Sequence, residues 1–365
     1  MTVKVRLIHC KTQIYFGRMD NDTSVDNFQE SQSVPVEAVT IVLVILIILS
    51  ISGNLLICSA FIIQPRLRKA LYLPVLSLAI ADVLCGLIAM PSYLAKKHVF
   101  GGKKEQVVCD ISRYSYFVTE YASVFSLTVI SVDRALAIIR PLKYKTTVTS
   151  PRMKVVLACT WFWAIVVSAL PFFWKSVDND GCYFRPTNEW SIAVIMGNVL
   201  LPFLAILVCQ FSIYVIAIKH AIIIGKQRNI SRLHRSGSTP RTEAWAVERK
   251  ATISLSIVIG LFILCWGPSS LYYFLQKVNP EYFEGTFGDQ EGTFNAVVKL
   301  LTFANSCFNP IVYSWMNRDF RQAFMRVLYR KKYKHDVEKQ ASQMSHHELL
   351  GRQASKATVV NFESS

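Results

Sequence analysis

Charged side chains inside long apolar stretches are the residues of this sequence most able to do chemistry. Asp82, Glu120 and Lys299 each lie well inside such a stretch. A charge at the centre of a bilayer costs roughly 2.5–3.5 kcal/mol even on the lenient scale, so it usually faces a protein interior and has a role. These three residues therefore mark the interior of a helical bundle as the functional part of the chain.

Oxygen-bearing side chains recur at the depth of Asp82 in other apolar stretches. A carboxylate combined with hydroxyl and amide oxygens can hold a small hard cation such as sodium. The same groups can also form a water-filled hydrogen-bond network that lets helices slide, and both interpretations can hold together. The side chains concerned are Asn54, Ser123, Asn305, Ser306 and Asn309.

The third apolar stretch carries a polar and aromatic face. Its members are spaced i, i+3, i+4, i+7 and i+10, which places them on one side of a helix. The aromatic residues Tyr116, Phe117, Tyr121, Tyr272 and Tyr273 could line an amphipathic pocket, although ordinary helix packing accounts for some of them. The face consists of Arg113, Tyr116, Phe117, Glu120 and Ser123.

Two opposite charges are predicted to lie at one depth. Glu120 precedes Arg134 by 14 residues, and Lys299 precedes Tyr313 by 14 residues. At 1.5 Å per residue, both charges lie about 21 Å from the same membrane face. We expect either an internal ion pair or two anchors for a zwitterionic ligand.

The elements that must position these residues are seven apolar stretches, each long enough to cross a membrane. A membrane-spanning helix needs about 20 apolar residues. The 365 residues are 52% hydrophobic, with a mean hydropathy of +0.33, which is too apolar for an ordinary soluble protein. The predicted fold is therefore an all-α membrane bundle. The predicted spans are Glu37–Ile63, Leu71–Ala95, Val107–Ile139, Val155–Trp174, Trp190–Ile224, Ala251–Leu275 and Phe294–Trp315.

Charge predicts the orientation of the bundle. Most of the 40 lysine and arginine residues fall in the segments on one side, and basic segments stay in the cytoplasm. We therefore expect an outside N-terminus, an inside C-terminus and contact with lipid rather than nucleic acid. The predicted division is an outer tail 1–36, a bundle 37–317, an amphipathic membrane-surface helix 318–330 and an inner tail 331–365.

Cysteines and one glycosylation motif fit this topology. Cys109 and Cys182 both face the outside, an oxidising compartment, so a disulfide between them is expected. Cys10 is left over in the outer tail without an assigned partner. Asn21 begins an Asn-Asp-Thr acceptor motif on the outer side.

The inner end of the bundle carries a charged pair and the prolines that kink helices. Asp133-Arg134 ends the third span, and Glu248 begins the sixth at the same face, so Arg134 could pair with both acids. Breaking such a pair would open an inner cleft and act as a switch. Pro268 and Pro310 each remove an internal helix hydrogen bond and allow a kink.

Taken together, these markers make the chain resemble the rhodopsin-like (class A) G protein-coupled receptors over about residues 37–330. The motifs that carry the resemblance are Gly53-Asn54, Asp82, Asp133-Arg134, Trp161, Pro202, Trp266-Gly267-Pro268, Asn309 to Tyr313, and the Cys109–Cys182 pair.

The resemblance implies a seven-helix receptor with a short eighth helix that is not an enzyme. It implies an extracellular small-molecule or peptide ligand, a heterotrimeric G protein, and arrestin and receptor kinases as partners. It implies no cofactor beyond a sodium ion, whose site it assigns to Asp82, Ser123, Asn305 and Asn309. The implied activation switch consists of Phe262, Trp266, Pro268, Asn309, Pro310 and Tyr313. The implied G protein-facing residues are Asp133, Arg134 and Glu248.

The residues expected to bind the ligand are Arg113, Tyr116, Phe117, Glu120, Tyr273, Lys299 and Phe303.

Several positions depart from the family pattern. Ala135 replaces the usual tyrosine after the arginine, and Gln210 replaces a tyrosine that supports the active arginine, with Tyr214 one turn later. Tyr116 stands where amine receptors carry an aspartate, which disfavours simple amine recognition unless Glu120 supplies the anion. Phe303 stands where opsins carry the retinal lysine.

Two other functions, a photoreceptor and a transporter, are compatible with a bundle that contains buried charges. An opsin-like photoreceptor is disfavoured by Phe303, although Lys299 lies one turn further out. A transporter could use the buried charges as a relay, but such proteins usually show an internal repeat, which this sequence lacks. The ligand, the G protein subtype and the oligomeric state are not predicted.

Overall fold

The computed structural model describes residues 35–98, 103–170, 172, 188–231, 240–287 and 290–329, apart from some side chains within these ranges. This part of the chain is almost entirely helical, which confirms the all-α prediction. The helices are α1 Val36–Ile63, α2 Leu73–Leu84, α3 Met90–His98, α4 Lys103–Ile139, α5 Pro141–Thr147, α6 Ser150–Ala169, α7 Asn188–Ile195, α8 Leu201–Ser231, α9 Pro240–Val278, α10 Pro280–Phe287, α11 Glu291–Met316 and α12 Arg318–Leu328.

Seven spans are built from these helices. The second span is α2 continued by α3, and the fifth is α7 continued by α8; the others are α1, α4, α6, α9 and α11. Six segments of the described chain are long and apolar enough to cross a membrane. The remaining span, α11, has 26 residues, but polar residues such as Lys299, Asn305 and Asn309 reduce its apolarity. Its length of about 39 Å is sufficient for a crossing.

Helix α4 occupies the centre of the bundle. It packs against the second span, α6, α8 and α9, while α1, the second span, α9 and α11 pack as neighbours around it. Its buried residues therefore face several helices at once. This central position explains why the polar and aromatic face of α4 meets side chains from most of the other spans.

A close contact joins α1 to α11 next to the proline of the last span. A Cβ atom built on Gly53 would lie 2.7 Å from Cγ of Pro310 and 3.0 Å from its Cβ. Real Cβ atoms essentially never come this close to another side chain. Gly53 is thus needed because it allows the two backbones to approach.

Two π-turns interrupt spans just before prolines. Cys85–Ala89 precedes Pro91, and Met196–Leu200 precedes Pro202. A proline cannot donate to the carbonyl four residues earlier and its ring clashes there. In both spans that carbonyl lies inside the π-turn, where the wider helix relieves the clash.

Helix α12 packs under the bundle. Asn317 caps it by accepting bonds from the backbone N–H groups of Asp319 and Phe320, at 3.0 and 3.4 Å. The apolar face of this predicted membrane-surface helix consists of Phe320, Phe324 and Leu328, and the first two are instead buried against the bundle, whereas Leu328 is exposed. The two rings pack inward because Phe320 fits among aromatic side chains of α1 and α11.

Candidate functional site

A cavity of about 700 Å³ opens at the end of the bundle where α4 begins. Side chains from α3, α4, α6, α7, α9 and α11 line it, together with Val199 of the π-turn in the fifth span. Its volume suits a drug-sized ligand. Five of the seven residues expected to bind ligand line this cavity: Arg113, Tyr116, Phe117, Tyr273 and Lys299.

The Lys299 ammonium lies on aromatic rings. Its Nζ is 3.4 Å from the centroid of the Tyr116 ring and 5.1 Å from that of Tyr273. The Tyr273 hydroxyl donates to Asn295 Oδ1 at 2.8 Å, which fixes the orientation of the ring. The rings stabilise the cation through their quadrupoles.

The floor of the cavity is Trp266, which is bonded to a buried acid. The indole Nε1 donates to Glu120 Oε2 at 2.9 Å, and Glu120 is only 4% exposed. Glu120 is absent from the described lining of the cavity. Phe303 also lies behind the lining, where its ring meets Tyr116 and Tyr93 edge-on at 5.7 and 5.5 Å.

Glu120 and Lys299 interact electrostatically without forming a contact ion pair. Among the described side chains, the contact ion pairs are Arg113–Asp110 and Arg134–Asp133. The carboxylate of Glu120 is directed to Trp266 and the ammonium of Lys299 to Tyr116. The two charges therefore lie near each other, as their predicted shared depth implies, but each side chain contacts a different residue: Glu120 contacts Trp266 and Lys299 contacts Tyr116.

Asp82 forms the centre of a second polar cluster. It is fully buried and accepts bonds from Ser306 Oγ at 2.8 Å, Asn309 Nδ2 at 2.7 Å and Ser123 Oγ at 3.5 Å. Asn305, the fourth expected member of the sodium site, is buried on the same helix as Asn309. The carboxylate thus gathers side chains from α4 and α11 around one point.

The same cluster ties α1 into the bundle. Ser50 Oγ donates to the backbone carbonyl of Asp82 at 2.9 Å, and Asn54 Nδ2 donates to the carbonyl of Ser306 at 2.8 Å. The hard oxygen atoms of Asp82, Ser123 and Ser306 match the chemistry of a sodium site. The described residues contain no group of three or more histidine, cysteine or acidic side chains that could hold a metal ion.

The predicted switch residues connect the cavity to the opposite end. Phe262 stacks on Trp266 at 5.9 Å, one turn below it on α9. Pro268 and Pro310 both lie inside their helices. Tyr313 is 1% exposed and stacks on Phe320, and its hydroxyl has no hydrogen-bond partner within the described chain.

At the opposite end, Arg134 is held by Asp133 and by a residue that the sequence did not single out. Arg134 donates to Asp133 Oδ2 and also to the hydroxyl of Tyr144 at 3.0 Å. That hydroxyl donates to Asp133 Oδ1 at 2.8 Å, and burial raises the pKa of Tyr144, so it stays protonated. The side chain of Glu248, the other predicted partner, lies outside the described residues.

Other residues were missed for different reasons. Lys96 and Lys277 line the cavity. In the sequence, Lys96 begins a basic outer loop, 96–104, that could attract an anionic ligand but is more simply interpreted as solvated, whereas Lys277 has no signal beyond its position near the end of an apolar stretch. Trp161 Nε1 donates to Ser77 Oγ at 3.0 Å, and Ser77 is bonded to Ser126 at 2.9 Å, which joins three spans.

Several expectations concern residues that are only partly described. Cys109 is disulfide-bonded, whereas its expected partner Cys182 lies outside the described residues, as does Asn21. The pairing of these two cysteines stays a prediction. Tyr214 is 64% exposed, so its side chain points away from the bundle interior.

Comparison with known proteins gives a consistent result. The family model described as "7 transmembrane receptor (rhodopsin family)" matches residues 53–313. A histamine H2 receptor from Canis lupus familiaris is 31% identical over 332 residues, covering 87% of this chain and 86% of the relative. An octopamine receptor beta-2R from Chilo suppressalis is 29% identical, covering 84% and 83%. An alpha-1A adrenergic receptor from Oryzias latipes is 28% identical, covering 82% and 68%.

Proposed function

Because this chain belongs to the rhodopsin family of seven-transmembrane receptors, we propose that the cavity above Trp266 is its ligand site and that Arg134 faces the G protein. The protein is a multi-pass receptor of the plasma membrane that responds to an extracellular ligand through heterotrimeric G proteins, and it is not an enzyme. The observation that carries the proposal is the Trp266–Glu120 bond, which links the cavity floor to α4, the central helix.

The proposed orientation places the cavity outside the cell and Arg134 in the cytoplasm. Basic residues concentrate in the segments at the Arg134 end, which supports this orientation because positive segments stay in the cytoplasm. A ligand then reaches the cavity directly from the outer solution.

Ligand binding is proposed to act on the Trp266 side chain. A ligand that contacts the indole or displaces its bond to Glu120 changes the balance between two arrangements of α9. Phe262, stacked below Trp266, carries this change toward the middle of the bundle. Pro268 lets the helix bend there because its ring removes one internal hydrogen bond.

The Arg134 end is proposed to be in a resting arrangement. Arg134 is buried, and Asp133 and Tyr144 occupy its guanidinium. A G protein needs access to this end, so activation has to release Arg134 from these partners. Arrestin and receptor kinases are proposed as further partners of the activated state, by membership of the family alone.

A sodium ion is proposed to bind at Asp82 in the resting state. The fit rests on a buried carboxylate with two hydroxyl oxygens beside it, Ser123 and Ser306. Their lone pairs can turn to a cation when the ion is present, and the ion would supply a positive charge that a buried carboxylate otherwise lacks. No other cofactor is proposed.

The amine ligands in the relatives' names are not transferred to this chain. The cavity face of α4 carries Tyr116, and the acid one turn deeper, Glu120, is bonded to Trp266. The relatives therefore support the receptor function, whereas the cavity itself determines the chemistry of the ligand.

The test of the proposed function uses no ligand. Full-length receptor in lipid nanodiscs is mixed with each class of heterotrimeric G protein, and apyrase removes the released GDP. We expect a basal amount of complex with at least one class for the wild type, because released GDP cannot rebind, and loss of that complex for Arg134→Ala. The exposed Lys154→Ala on α6 serves as a matched control. Absence of complex with every class, or equal binding by Arg134→Ala, overturns the proposal.

A further inference from the structure

The lining of the cavity is cationic. Four of the described lining side chains are basic, and none of the described lining side chains is acidic. We propose that the ligand is an amphipathic organic carboxylate whose anionic group contacts Lys299. This inference rests on the proposed role of the cavity as the ligand site. The four basic side chains are Lys96, Arg113, Lys277 and Lys299.

Lys299 is the best placed of the four to anchor an anion. It lies among the aromatic rings of the cavity, partly buried, and its contacts there are ring faces rather than carboxylates. An ammonium has three N–H donors, and ring faces provide no oxygen acceptor for them. Arg113 already has an ion-pair partner in Asp110 at 3.3 Å. A carboxylate that enters the cavity therefore gains a charge-assisted bond at Lys299.

The acid that could hold an amine is turned away from the cavity. Glu120 gives its Oε2 to the Trp266 indole and is 4% exposed. A ligand amine would have to break this bond and pass the Lys299 ammonium, which repels it. The electrostatics of the cavity thus favour an anion over both an amine and a zwitterion.

The rest of the cavity specifies the body of the ligand. The lining below Lys299 is aromatic, with Phe117 and Tyr121 stacked at 5.6 Å. Val167, Val194 and Val199 add an aliphatic wall. Such a surface favours a flat apolar group, and the volume of about 700 Å³ admits two or more rings. The predicted ligand is therefore an aromatic or similarly apolar acid.

The test compares three probes that differ only in their polar group. These are 4-biphenylacetate, its primary amide and 2-(biphenyl-4-yl)ethylamine. The thermal midpoint of purified full-length receptor is titrated with each probe, because a ligand that binds only the folded state raises the midpoint with the logarithm of its concentration relative to its Kd. For the wild type we expect the acid to bind about tenfold more tightly than the amide or the amine.

Substitutions of Lys299 test whether this residue causes the preference for the acid. Lys299→Met should remove the advantage of the acid over the amide, Lys299→Arg should keep it, and Lys299→Glu should transfer it to the amine. Lys154, exposed on α6 and absent from the described cavity lining, provides the matched control Lys154→Met, which should behave like the wild type. Surface expression and the thermal midpoint measured without probe show whether each variant is folded.

The outcomes separate this inference from the proposed function. The proposal is overturned if the amine binds best, if the acid gives no shift up to its solubility limit, or if Lys299→Met retains the preference for the acid. Formation of the nucleotide-free G protein complex needs none of these probes. A receptor that forms this complex but prefers the amine keeps its proposed function and loses only the ligand class.

Discussion

Replacing Gly53 with alanine puts a methyl group where α1 and α11 leave no room for it. The added Cβ would lie 2.7 Å from Cγ of Pro310, whereas ordinary contacts begin at 3.4 Å, a deficit of about 0.7 Å. The proline ring is fixed to its own backbone and cannot swing aside, so one helix has to move. Overpacking of this kind costs about 1–3 kcal/mol.

Alanine also favours a helix over glycine by about 1 kcal/mol, which offsets part of the cost. Gly260 on α9 supplies the matched control, since a Cβ there meets nothing within 4 Å. The difference between the thermal midpoints of Gly53→Ala and Gly260→Ala cancels the helix preference of alanine and leaves the steric cost at Gly53. In soluble domains of somewhat smaller size, each kcal/mol shifts the midpoint by about 2–4 °C.

The assay is the thermal unfolding of both purified variants in one detergent, with surface expression measured in parallel. Gly53→Ala should unfold below the wild type, and Gly260→Ala should unfold at or above it. Equal midpoints for the two variants would show that α1 moves away from Pro310 at no cost. The reasoning from the close contact would then be wrong.

Three further predictions concern the switch network. Asp82→Asn keeps the shape of the side chain but loses its charge, so sodium chloride, compared with choline chloride, should no longer raise the thermal midpoint; an unchanged sodium effect places the ion elsewhere. Tyr144→Phe removes the donor to Asp133, so basal nucleotide exchange should rise by about fivefold, equivalent to about 1 kcal/mol; exchange equal to wild type at matched surface expression contradicts this. Trp266→Phe and Glu120→Leu, which remove the donor and the acceptor of one bond, should couple in thermal stability by about 1–2 kcal/mol in a double-mutant cycle, and additive losses would show that their bond contributes nothing.

The sequence predicted the positions of the spans better than their ends. Hydropathy locates the part of a helix inside the membrane, so the sixth span was expected to begin at Ala251. Helix α9 begins at Pro240, about three turns earlier, because a helix continues beyond the bilayer among charged residues. The fourth span was expected from Val155, and α6 begins at Ser150 with Pro151 in its first turn, a position that proline favours.

Within the site, helical spacing predicted how deep each side chain lies in the membrane but not which way it points. The rise per residue correctly placed Glu120 and Lys299 near each other, yet it could not tell which way each side chain turns. Their contacts with Trp266 and Tyr116 depend on the rotation of α9 and α4 about their axes. Tyr144 was beyond prediction for another reason: it lies on a short helix outside the spans, where no membrane periodicity constrains the sequence.

The contacts of α12 with the first part of the chain can form only late in the synthesis of the receptor. Tyr72 at the start of α2 donates to Asp319 at 2.9 Å across 247 residues of sequence, and Arg326 reaches Gln64 across 262. Ribosomes add about 5–20 residues per second, so Tyr72 emerges about 12–50 s before its acceptor exists. Throughout that interval, water or lipid headgroups have to satisfy its hydroxyl. Docking of α12 is thus among the last steps of biogenesis, and a chain that stalls before residue 319 leaves the early spans without these partners.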